Sequence, residues 1–136
     1  MPDEITGEDL LERVERIAPV IREHADLGEQ QRDLADPIVD ALKDAGLYHM
    51  LVPRELGGLQ VDPLTFYQVV EELSRIDGST GWCMFINGAA PFSGVFLRGE
   101  AAEEIFGNGA RTIMSGTVFP FGRAVLSEGG YRVSGR

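Results

Sequence analysis

The sequence predicts a mainly α-helical bundle followed by the first strands of a β domain that is left incomplete. Three observations predict it. Apolar residues recur at helical spacing between Leu10 and Ala90. Capping residues and prolines mark the helix starts at Thr6, Asp36–Pro37 and Asp62–Pro63. After Thr112 the pattern changes to short runs of β-branched and aromatic residues. The boundary falls near residue 110, giving a helical part, 1–110, and a β part, 111–136.

The first helix is expected from Thr6. Thr6 and Asp9 form the acidic variant of a capping box, in which each side chain satisfies an orphan backbone N–H. Leu10, Val14, Ile17 and Ile21 then share one face. Pro19 is expected to bend the helix, because it removes a backbone donor and crowds the preceding turn. The pattern fades near Leu27–Gly28. Asp36 is expected to cap a short second helix, with Pro37 in its first turn and Gly46 as a left-handed stop. Leu47 to Val52 is an apolar run too brief for periodicity to assign. Pro53 and Gly57–Gly58 mark a loop.

The third helix repeats the same start with Asp62 and Pro63. Phe66, Val69, Val70, Leu73 and Ile76 are expected inside, with Gln68, Glu71, Glu72 and Arg75 outside. It ends at Asp77–Gly78, and Ser79 or Thr80 is expected to cap the fourth helix. No residue from Gly78 to Leu97 is charged, so this fourth helix is expected to be central and mostly covered. A membrane span fits it poorly, since the run holds four glycines, a proline, an asparagine, two serines and a threonine. A fifth helix is expected from Glu100 to Phe106.

Ile113, Met114 and Thr117 to Phe119 favour extended chain, as do Ala124 to Leu126 and Tyr131 to Val133. Ser127-Glu128-Gly129-Gly130 is a hairpin turn between the last two. Two or three strands leave unpaired edges and too little apolar surface to close a second core. The chain therefore reads as part of a larger protein.

Composition narrows the function. Twenty-two acidic residues against 12 basic ones give a net charge of -10, which repels nucleic acids and anionic membranes. A single cysteine, Cys83, rules out an internal disulfide and a cysteine-based zinc site. It reads as a small buried hydrophobe. His24 and His49 lie at no metal-ligand spacing and are expected at the surface or its boundary, so no metal is expected. The first residues lack a basic stretch followed by an apolar run, and a cytoplasmic location is expected.

Residues that could carry chemistry gather on the fourth helix. Asn87, in a run without charges, needs hydrogen-bond partners, which are either backbone groups or a ligand's polar atoms. Trp82, Phe85 and Phe92 either pack in the core or wall an aromatic pocket. Gly81, Gly88 and Gly94 weaken a helix, and close approach of a neighbour or ligand would explain them.

Three segments, taken in order, resemble a known family. ALKDAGLYHMLVPRELGG (41–58), VVEELSRIDGSTGW (69–82) and TIMSGTVFPFGRAVLSEGGYRVSGR (112–136) look like the N-terminal helices and first middle-domain strands of the acyl-CoA dehydrogenase fold. That resemblance implies three domains: N-terminal helices, a β barrel and a C-terminal four-helix bundle. Flavin, as FAD or FMN, then lies between barrel and bundle, the N-terminal helices help to roof the substrate pocket, and homotetramers are usual. By the same resemblance Ser115, Thr117 and Val118 contact the flavin, and Trp82, Phe85, Asn87 and Phe92 line the substrate pocket. The dehydrogenase base belongs to the C-terminal bundle, so no catalytic residue is named.

The chain departs from true acyl-CoA dehydrogenases at one place. Where those typically carry Thr-Glu-Pro and then Gly-Ser-Asp, it has Val118-Phe119-Pro120-Phe121-Gly122-Arg123-Ala124. The Ser-Thr-Gly-Trp break and the Phe-Pro-Phe-Gly-Arg-Ala turn look more like hydroxylase components of two-component monooxygenases. Those take reduced flavin from a separate flavin reductase and use O2 to hydroxylate a small organic substrate. A monooxygenase-like hydroxylase is therefore the expected whole protein. An acyl-CoA dehydrogenase oxidising a CoA thioester with FAD is the alternative, with Arg123 as a possible phosphate contact. The rival of another class is a helical interaction module without cofactor. The 136-residue chain by itself is expected to be inactive and to bind flavin weakly.

Overall fold

The computed structural model describes residues 5–107, 112–116 and 122–135. Its first helix, α1 (Gly7–Gln31), starts at the expected capping box: the Asp9 N–H donates to Thr6 Oγ1, and Asp9 Oδ2 accepts from the Thr6 N–H at 2.8 Å. The helix runs unbroken through Pro19 and past Gly28. It stops at Arg32, a non-glycine residue in the left-handed conformation with φ 58°.

Helix α2 (Asp36–Asp44) begins one residue earlier than expected. Ala35 occupies the cap position without any side-chain bond, and Asp36 stands inside the first turn, where its charge still meets the positive end of the helix. Gly46 takes the left-handed conformation, φ 72°, as the sequence predicts. The chain then turns sharply through two short 3-10 segments, Leu47–His49 and Arg54–Leu56. The apolar run from Leu47 to Val52 is part of the core: Leu47, Tyr48, Met50 and Val52 are all buried. The segment folds back on itself through Leu59 N–H to His49 O (3.0 Å) and Val61 N–H to Met50 O (2.9 Å).

Asp62 caps α3 (Pro63–Ile76), accepting from the N–H groups of Leu64 and Thr65 at 2.9 and 3.1 Å. Phe66, Val69 and Leu73 face inward and are buried, whereas Val70 and Ile76 are half-buried. One residue then serves two helices. Asp77 ends α3 through its backbone N–H to Leu73 O and starts α4 (Gly78–Ala89) by accepting the Thr80 N–H at 2.7 Å. The expected caps Ser79 and Thr80 lie inside α4 instead, because a carboxylate just before a helix already reaches its third N–H.

Helix α4 packs on α3 and continues through a 3-10 stretch, Ala90–Phe96, into α5 (Gly99–Phe106). Its inner face is a stripe of Thr80, Gly81, Met84 and Gly88. A Cβ on Gly81 would lie 2.7 Å from Ser74 Cα, and one on Gly88 would lie 3.0 Å from Phe66. Glycine is required for that approach. The expectation that α4 is mostly covered holds for nine of its 12 residues, which are buried or half-buried, but its largest side chain, Trp82, is 65% exposed. The absence of charge goes with that cover, while Trp82 and, in the 3-10 stretch beyond the helix, Phe96 at 80% exposure leave apolar rings on the surface.

The core joins Leu10, Val14 and Ile21 of α1 to Ile38 and Leu42 of α2, to Phe66, Val69 and Leu73 of α3, and to Met84 of α4. Two strands follow: β1 (Arg123–Ser127) and β2 (Gly130–Ser134) pair antiparallel, with Arg123 opposite Ser134 and Ser127 opposite Gly130. Gly129 supplies the turn with φ 78°. Every residue of both strands is exposed. Ile113 and Met114 lie in no strand. No helix among the described residues is long and apolar enough to cross a membrane.

Candidate functional site

Helix α4 takes part in two features. The first is a row of rings. Trp82 and Phe85 lie 6.1 Å apart between centroids, Phe85 and Tyr67 6.2 Å, and Tyr67 meets Phe66 edge-on at 5.7 Å. The row passes from buried Phe66 on α3 to exposed Trp82 on α4, offering flat apolar surface at its outer end. Tyr67 is the member that sequence reasoning missed. It sits one residue beyond the inward position of Phe66, where periodicity assigns it to solvent, and it is 56% exposed. Phe92 is also exposed but forms no ring contact with this row.

Trp82 and Cys83 also border a cleft of about 490 Å³ between the end of α1 and the start of α4, together with Gly28, Arg32, Leu34 and Asp77. Cys83 is only half-buried, which corrects the expectation of a core residue. Burial first, then the carboxylates of Asp33 and Asp77, push its thiol pKa up. The thiol stays protonated and is a poor nucleophile.

The second feature is the segment Thr112–Gly116, which leaves the helices toward β1. Asn87 Nδ2 donates to the Met114 carbonyl at 2.8 Å, so a backbone group supplies one partner for that amide. His49 Nε2 lies 3.1 Å from the Thr112 carbonyl, which fixes Nε2 as the protonated nitrogen. Thr112 Oγ1 in turn donates to the Ile105 carbonyl at 2.6 Å.

His49 is wholly buried, not a surface histidine. Its ring stands edge-on to Phe106 at 6.0 Å, and Nδ1 has no partner among the described residues. Burial holds its pKa below the ordinary value, outweighing the Thr112 carbonyl. The neighbouring phenol of Tyr48 is pushed up to about 12, mainly by burial.

Ser115 is exposed at the end of this segment. Thr117 and Val118 lie outside the described residues. Arg123 is exposed at the start of β1. No cluster of metal-ligating side chains occurs among the described residues.

The described residues thus form a helical domain with an exposed aromatic row, followed in sequence by a β hairpin. The profile of the acyl-CoA dehydrogenase N-terminal domain matches residues 11–104, and the chain belongs to that family. Indole-3-acetate monooxygenase of Pseudomonas putida is 37% identical over 85% of this chain and 30% of its own length. The oxygenase subunit HsaA, a flavin-dependent monooxygenase of Mycobacterium tuberculosis, is 35% identical over 95% of this chain and 33% of its own. Its crystal structure superposes with a TM-score of 0.87 at 34% identity, covering 96% of this chain and 36% of that one. XiaF from Streptomyces, solved with FADH2 and glycerol, gives 0.89 at 29% identity over 95% of this chain and 33% of that one. The chain thus spans about a third of the length of these relatives.

Proposed function

We propose that this chain is the N-terminal helical portion of the oxygenase component of a two-component flavin-dependent monooxygenase. A small aromatic substrate, reduced flavin from a separate reductase, and O2 are its reactants. The observation that carries this reading is the likeness to oxygenase components along 95% of the chain, which runs beyond the helices into the tail. The domain boundary near residue 110 belongs to the proposal. So do a cytoplasmic homotetramer and FAD rather than FMN, the latter because XiaF was solved with FADH2.

The residues present fit such a group. Ser115 brings an exposed hydroxyl beside backbone donors and acceptors, which suit the polar edge of an isoalloxazine. Thr117 and Val118 are assigned to the same edge by their place in the sequence. Trp82 and Phe85 present ring faces for an aromatic substrate to stack on and exclude water from it. Phe92, exposed and apart from that row, is assigned to the substrate side by the family resemblance alone. Reduced flavin, when bound, supplies the electrons that activate O2.

The test uses the full protein with FAD, a flavin reductase and NADH under air. Arylacetates and other small phenols and indoles are screened for a product heavier by one oxygen atom. Oxygen incorporation dependent on the reductase is the expected result. Oxidation of an acyl-CoA thioester without O2 uptake would instead establish a dehydrogenase.

A further inference from the structure

We infer that His49 and Asn87 are positioning residues: together they clamp the segment 112–116 and so set the edge that Ser115 presents to the flavin. This rests on the flavin reading of Ser115 given above. Two donors from distant parts of the helical domain reach carbonyls two residues apart, Thr112 from His49 and Met114 from Asn87. Two residues is the repeat of an extended chain, whose successive groups point to opposite sides. Burial follows the same alternation: Thr112 and Met114 are half-buried, whereas Ile113 and Ser115 are exposed. Bonding alternate carbonyls to the helices therefore turns the polar groups of Ile113 and Ser115 the other way, toward a ligand.

Each clamp is itself held. His49 cannot swing, because its ring is enclosed and braced by Phe106, and its backbone N–H and C=O bond to Gly46 and Leu59. Asn87 projects from α4 two residues after Phe85. One helix thus carries the aromatic wall and a tether for the flavin-facing segment. Thr112 adds a third tie, through its hydroxyl to Ile105 at the end of α5. A polar bond made to a backbone carbonyl fixes position without contributing chemistry of its own.

The experiment takes the full protein as wild type, His49→Phe, Asn87→Leu and the conservative His49→Gln, and makes two measurements. Hydrogen exchange of a peptide covering 112–116 reads the clamp without flavin. Anaerobic titration with reduced FAD, followed by its absorbance, reads the presented edge. Loss of one tether is expected to speed exchange of that peptide about fivefold and to weaken FAD binding by a similar factor. The unfolding midpoint of Asn87→Leu should stay close to wild type, and His49→Gln should recover most of the FAD affinity. Unchanged exchange in both variants that lack a tether overturns the clamp. Faster exchange with unchanged FAD affinity overturns its role in presenting the edge. A wild type that binds no FAD overturns the flavin reading instead, and the exchange measurement still decides the clamp.

Discussion

His49 shows how burial changes what a single side chain does. In the folded chain its imidazole is neutral, with Nε2–H spent on Thr112 and Nδ1 enclosed. An added proton would place a charged N–H where no described group accepts it. The unfolded chain takes up that proton at about pH 6.5, while the folded chain resists it because its pKa is lowered. Below that pH the unfolded state binds more protons. The stabilisation is therefore full above pH 6.5 and lost as pH falls through the folded value. Urea midpoints measured between pH 7.5 and 5 should fall more steeply for wild type than for His49→Phe, which keeps a ring beside Phe106. Parallel curves would refute the assignment. Cys83 makes a simpler case: with its thiol pKa raised, alkylation by iodoacetamide at neutral pH should be slower than that of free cysteine.

Among the elements, the α3–α4 pair depends on one residue junction and one glycine stripe. Gly81 lies so close to α3 that a methyl group there would meet the backbone of Ser74 at 2.7 Å, and backbone cannot move aside as a flexible side chain can. Gly81→Ala should destabilise the chain by about 2 kcal/mol, measured by denaturant unfolding. Gly78, in the same helix, has nothing within 4 Å of a Cβ, so Gly78→Ala should be neutral or slightly stabilising. Asp62→Ala should cost about 1 kcal/mol, since it removes the acceptor for two helix N–H groups. Much of this was legible in the sequence, because caps and stops act locally: Thr6 with Asp9, Asp62 and Gly46 each depend on residues within one turn. What was not legible depends on distance. His49 reads in the sequence as a surface or boundary residue because no local pattern signals the Phe106 ring, 57 residues on, that braces it. Asn87 plainly needed a partner, but nothing nearby in sequence marks Met114, 27 residues on. Tyr67 escaped notice because a ring row crosses two helices, and helical periodicity describes one at a time.

In the whole molecule, order is unevenly distributed, and that distribution can be measured. Residues of α1, α2, α3 and α4 share one core, so their inner amides should exchange only through global opening. The hairpin β1–β2 has no buried residue, with Leu126, Tyr131 and Val133 all at least 70% exposed. A two-stranded ribbon with no packed face is marginal in water. Native-state exchange of the 136-residue chain should accordingly rank α3 slowest, the tethered segment 112–116 intermediate and the hairpin fastest, close to unfolded rates. The intermediate rank is the informative one. It follows from three ties without a ladder, and it separates a segment held in place by side chains from one held by its own strand pairing. Equal protection of hairpin and α3 would mean that the strands pack on a surface, and the exposed rings of Trp82 and Phe96 would be the first places to look for it.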